Sequence, residues 1–121
     1  MTTSALDISL AYYNAWTGGD FQAALGYISP EISCSTPAGT VSGIAAFEGF
    51  MGPFAASLTS STLLAAFGDE HTALIMYDAG TALVADAPGA ELHTVADGRI
   101  TSIKIIFDRQ PFVEARSRAE S

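Results

Sequence analysis

Apolar residues recur every three or four positions from the start of the chain. Ile8, Tyr12 and Ala15-Trp16 form one stripe, and Leu6, Leu10 and Tyr13 widen it, until Gly18-Gly19 stops the run. Ser4 stands where an N-cap is needed, and Asp7 lies in the first turn, where the helix dipole favours a carboxylate. A first helix is therefore predicted between Ser4 and Gly18. Asp20 caps a second, shorter helix that runs to about Tyr27; Ser29-Pro30 ends it, because the residue before a proline is pushed out of helical geometry. From Glu31 the period changes to two, which gives a short strand closing at the turn Pro37-Ala38-Gly39-Thr40. Ser42-Gly43 introduces a third helix, with Ile44, Phe47, Phe50, Met51 and Phe54 along one side and a kink near Pro53.

Three β-rich stretches follow, over 60–67, 71–85 and 90–96, bounded by Gly68-Asp69, Asp86-Ala87-Pro88-Gly89 and Asp97-Gly98. The Asp97-Gly98 pair between two alternating runs predicts a two-residue hairpin turn. The last strand, 100–108, places Ile103, Ile105 and Phe107 on one face and Ile100 and Ile106 on the other. Both faces then need cover: helices supply one, and a second copy of the sheet would supply the other. The order of helices and strands makes this an α+β domain.

At 121 residues, the chain is one domain, 1–121, with a core over 1–108 and a tail over 109–121. The tail carries Arg109, Arg116 and Arg118 interleaved with Glu114 and Glu120, which reads as a solvated helix end or loose terminus. Net charge is −8, and no Lys or Arg precedes Arg99, so a nucleic-acid partner is not expected. No segment approaches the roughly 20 apolar residues of a membrane helix, and MTTSALD lacks the basic and apolar regions of a leader. A cytoplasmic protein with no membrane partner is the expectation. Cys34 has no second cysteine to pair with and reads as a small buried hydrophobe. His71 and His93 have no ligand spacing, so neither a metal nor a cofactor is expected.

Three strings, taken in order, resemble the nuclear transport factor 2-like superfamily, in its SnoaL-like and ketosteroid isomerase-like branches. They are Tyr12-Tyr13-Asn14-Ala15-Trp16-Thr17-Gly18-Gly19-Asp20, then Thr36-Pro37-Ala38-Gly39 with Gly43, then Asp97-Gly98-Arg99-Ile100 through Phe107-Asp108. The resemblance implies a curved, mostly antiparallel sheet wrapped into a cone. Three helices from the first half of the chain cover its concave face, with a pocket for a small hydrophobic ligand and a homodimer through the outer sheet face. It also implies candidate residues. The tyrosine of the steroid isomerases falls on Tyr12, but the position of their base falls on Thr36 and that of their second acid on Leu92. A threonine cannot take the proton and a leucine cannot donate a hydrogen bond, so steroid isomerisation by that route is disfavoured. The epoxide-opening branch needs an Asp-Arg-Asp set in the pocket, where Ile103 and Ile105 stand instead. The acid that polyketide cyclases of this type place near the end of the last strand falls on Asp108.

Candidate chemistry is thus Tyr12 for polarisation and Asp78 or Asp108 for acid–base work. Asp78 enters because alternation puts it with Leu74 and Met76, where an inward carboxylate would be costly unless used. Trp16, Phe50, Phe54, Thr36, Leu92, Ile103 and Phe107 are the expected pocket wall. Glu91 and His93 point the same way as each other, and the register implied by the resemblance turns them outward, towards the dimer face. Two functions fit: an isomerase or cyclase of a hydrophobic small molecule, and a non-catalytic binding or dimerisation module.

Overall fold

The computed structural model describes residues 4–120; the first three residues and Ser121, included in the expected domain, lie outside the described residues. Helix α1 (Ala5–Thr17) starts where its cap predicts, with Ser4 Oγ accepting from the Asp7 N–H, and ends as the Gly18 N–H donates to Asn14 O. Asp20 caps α2 (Phe21–Leu25) through the Ala23 N–H. Strand β1 (Ile28–Thr36) begins ahead of Glu31 and runs through Pro30. The proline is tolerated because it falls between Ile28 and Ser33, where the register with the neighbouring strand shifts. The residues expected only to turn back form instead a short strand, β2 (Gly39–Ser42), paired with β1. Helix α3 (Ile44–Ala56) contains Pro53, and β3 (Leu58–Gly68), β4 (Thr72–Thr81), β5 (Gly89–Ala96) and β6 (Arg99–Phe107) follow.

The six strands lie in the order β2-β1-β6-β5-β4-β3, antiparallel except for β1 beside β6. Register shifts in β1, β3 and β6 break the ladder, and such irregularities bend a sheet. Asp97 and Gly98 both take positive φ, 54° and 76°, which is the turn that Asp-Gly favours in a hairpin. The shift beside that turn corrects one expectation. Ser102 pairs with Thr94 and Ile100 with Val95, so Thr101 is extra, and Ile100 faces inward with Ile103 rather than outward with Ile106.

Helix α1 and the inner face of the sheet enclose the core, in which Tyr12, Trp16, Phe47, Ile32, Ile75 and Ile103 are almost wholly buried. The tail is a helix, α4 (Gln110–Glu120), held by more than charge. Phe112 packs against Phe54 and Phe107 at ring separations of 6.4 and 5.7 Å, and Ala115 is buried with Val84 and Ala87. No helix among the described residues is long and apolar enough to cross a membrane.

Candidate functional site

Between α3, α4 and the sheet lies an open cavity of about 470 Å³. Phe50 and Phe54 reach it from α3, Ile105 and Phe107 from β6, Phe112 from α4 and Tyr77 from β4. Tyr77 fits because its cross-strand partner is Gly89: a Cβ there would stand 3.0 Å from the phenolic oxygen.

Behind Tyr77 runs a chain of buried polar groups. The Tyr77 hydroxyl donates to Glu91 Oε2 at 2.6 Å, and Glu91 Oε1 lies 2.8 Å from His93 Nε2. His93 Nδ1 is in turn 2.7 Å from Ser9 Oγ on α1. Strand geometry builds this chain: Glu91 and His93 share a face two residues apart, and Tyr77, paired with Gly89, is the diagonal neighbour of Glu91. Ser9, Glu91 and His93 are fully buried and Tyr77 nearly so. If the carboxyl group is ionised, its contact requires a proton on His93 Nε2. Nδ1 then accepts from Ser9 in the neutral ring, or donates to it in the cation.

Burial, followed by the nearby Glu91 charge, raises the Tyr77 phenol well above its ordinary pKa, and the same two causes raise Tyr12. Both are neutral phenols at pH 7. The ring of Tyr12 meets that of His93 edge-on at 5.5 Å, while Trp16 packs against Tyr77 and Phe54. Tyr12 Oη and Trp16 Nε1 are buried with no hydrogen-bond partner among the described residues. Burial and then Glu91 push the Cys34 thiol up to about 12. Cys34 is therefore expected to resist iodoacetamide at pH 8 until the protein is unfolded; labelling of the native protein at the rate of a free thiol would contradict its placement.

The structure brings some of the expected residues to the cavity and not others. Phe50, Phe54 and Phe107 line it. Tyr12, Trp16 and Ile103 are buried in the core beside the polar chain and are not among the lining residues. Thr36 sits at the β1–β2 turn, where its hydroxyl donates to Gly39 O and accepts from the Ala38 N–H. Asp108 is exposed and accepts from the Gln110 N–H at the start of α4. Asp78 is exposed on the outer face, opposite Thr62, which corrects the expectation of an inward carboxylate. Leu74 and Met76 gave no guide to the inside, because they are themselves exposed, each at 48%. Leu92 and the pair Glu91 and His93 change places with respect to expectation: Leu92 is outward and 43% exposed, and the pair is inward. In a strand a one-residue offset in the assumed register exchanges the faces. The sequence signal for the missed chain was Glu-x-His within a strand; the contributions of Ser9 and Tyr77 come from other elements. Among the described residues, no group of three or more His, Cys, Asp and Glu side chains is placed to hold a metal ion.

The SnoaL-like domain family matches residues 10–103. A crystal structure of a protein from Kribbella flavida DSM 17836 is 52% identical, with a TM-score of 0.93 over 98% of this chain and 99% of that one. An NTF2-like protein of unknown function from Cytophaga hutchinsonii ATCC 33406 is 21% identical, with a TM-score of 0.76 over 93% of this chain and 99% of that one. A Sinorhizobium meliloti protein provisionally assigned as a polyketide cyclase is 19% identical, with a TM-score of 0.71 over 82% of this chain and 93% of that one. The last two likenesses show the fold alone. No curated protein matches.

Proposed function

Because the chain belongs to the SnoaL-like domain family, we propose that its cavity binds a small hydrophobic molecule and that Tyr77, backed by Glu91 and His93, supplies the acid–base chemistry of an isomerase or cyclase. The observation that carries this reading is that Tyr77 both lines the cavity and donates to the buried Glu91 carboxyl group. Its proton is committed to Glu91, which leaves the phenolic oxygen able to accept one from a ligand. As it accepts, its own proton passes to Glu91; the reverse transfer returns a proton to the ligand, so an isomerisation or ring closure ends with the relay as it began. A neutral phenol of raised pKa suits this exchange, since no free phenolate is needed.

The test is proton exchange at carbon. The protein is expected to speed the exchange of the C2 protons of 1-tetralone, an apolar bicyclic ketone, in deuterated buffer, read by NMR. A rate equal to that of buffer alone would favour the second reading, a non-catalytic module.

That reading draws on the outer face of the sheet, where Phe67, Leu74, Met76, Leu92 and Ile106 are exposed and adjacent through the strand pairing. Large exposed apolar patches mark association sites, and a homodimer through this face belongs to either reading. Sedimentation should give a dimer for the native chain and a monomer for Leu92→Glu; a native monomer would rule it out.

A further inference from the structure

The chain carries thirteen acidic residues against five Lys and Arg, yet among the described residues no carboxylate lines the cavity, and the two charged lining residues are both arginines, Arg109 and Arg116. Helical spacing explains how they get there. Arg109, at the N-terminal edge of α4, precedes Phe112, Val113 and Arg116 by three, four and seven residues, so these side chains share one face of the helix, and all four line the cavity. Glu114 lies off that stripe and accepts a hydrogen bond from Gln110. The helix thus sorts these residues: Arg109, Arg116 and Phe112 go to the cavity, and Glu114 goes elsewhere.

Both arginines are exposed at the rim, and neither guanidinium makes a hydrogen bond or ion pair within the described residues. The rest of the wall is dominated by Phe50, Phe54, Phe107, Phe112 and Ile105. From this arrangement we infer that the ligand is an amphipathic carboxylate. Its apolar, aromatic-sized body lies among the phenylalanines towards Tyr77, and its anionic end meets Arg109 or Arg116. A guanidinium binds a carboxylate through two parallel N–H···O bonds, which fixes orientation as well as adding attraction. Arg109 and Arg116 are then specificity-determining residues, and they orient the body of the ligand towards the phenol. The inference rests on the reading of the cavity as a binding site and adds the class of ligand.

Calorimetric titration with a matched pair, biphenyl-4-carboxylate and biphenyl-4-carboxamide, separates the two. The carboxylate is expected to bind at least about tenfold more tightly, with a preference that shrinks as salt screens the rim. Arg109→Gln together with Arg116→Gln should remove that preference and leave the affinity for the amide unchanged. Both side chains are exposed, so the double variant is expected to unfold with the native midpoint, which is measured alongside. Equal binding of the two probes, or a preference that survives the double substitution, would overturn the inference and leave the cavity a binding site for neutral molecules. Binding of neither probe would overturn both this inference and the reading of the cavity on which it rests.

Discussion

Glu91→Ala is expected to lower the free energy of unfolding by about 3–5 kcal/mol, the cost of removing one partner from a buried pair. Glu91 is fully buried and is the shared partner of the Tyr77 hydroxyl and of His93 Nε2. Its loss leaves His93, fully buried, without the acceptor at Nε2 and deprives the Tyr77 hydroxyl of its partner, and a domain of ordinary stability has only about 5–15 kcal/mol in reserve. Glu91→Gln, which keeps the shape, should cost about 1–3 kcal/mol, because an amide offers one acceptor where the site calls for two. Urea unfolding followed by the fluorescence of Trp16, the one tryptophan and fully buried, gives both values. A loss under about 1 kcal/mol for Glu91→Ala would mean that the polar chain is not closed in the native protein.

Tyr77→Phe is expected to slow the exchange of the 1-tetralone C2 protons by about 10²–10⁴-fold, the usual contribution of a positioned acid or base. The ring stays in the wall, so the affinity for the ketone should change only a few-fold. Separating the two measurements is informative because Tyr77 is both wall and relay. Loss of binding and exchange together would make it wall alone. Unchanged exchange would remove the relay from the reaction. Asp78→Asn and Asp108→Asn serve as controls: both carboxylates are exposed, and Asp108 holds the start of α4, so neither should alter exchange.

The elements were legible in the sequence where local chemistry decides them. Ser4 and Asp20 cap helices, Gly18 ends one, and Asp97-Gly98 turns a hairpin, each because the backbone there demands that residue type. What stayed hidden was which side of each strand is inside. Alternation separates two faces but does not label them. Leu74, Met76, Leu92 and Ile106 make the outer face nearly as apolar as the inner one, so alternation with Leu74 and Met76 points Asp78 the wrong way, while the register implied by the resemblance exchanges Leu92 with Glu91 and His93. Hydrophobicity marks the interior only when the other face is polar. Thr101 adds a second obstacle, since one extra residue in β6 turns Ile100 to the core. The wall contributed by α4 was also missed, because the charges of the tail outweighed Phe112 and Val113 in composition, whereas the helical period groups those two with Arg109 and Arg116. The polar chain itself joins α1, β4 and β5, and no local pattern brings Ser9 to His93 across 84 residues.

A crystal structure of the protein with 1-tetralone tests the central claim most directly. The bicyclic ring should lie among Phe54, Phe107 and Phe112, with its reacting end against the Tyr77 hydroxyl while that hydroxyl still meets Glu91. A ketone bound elsewhere, or a cavity closed by those rings with Tyr77 turned away from Glu91, would contradict it.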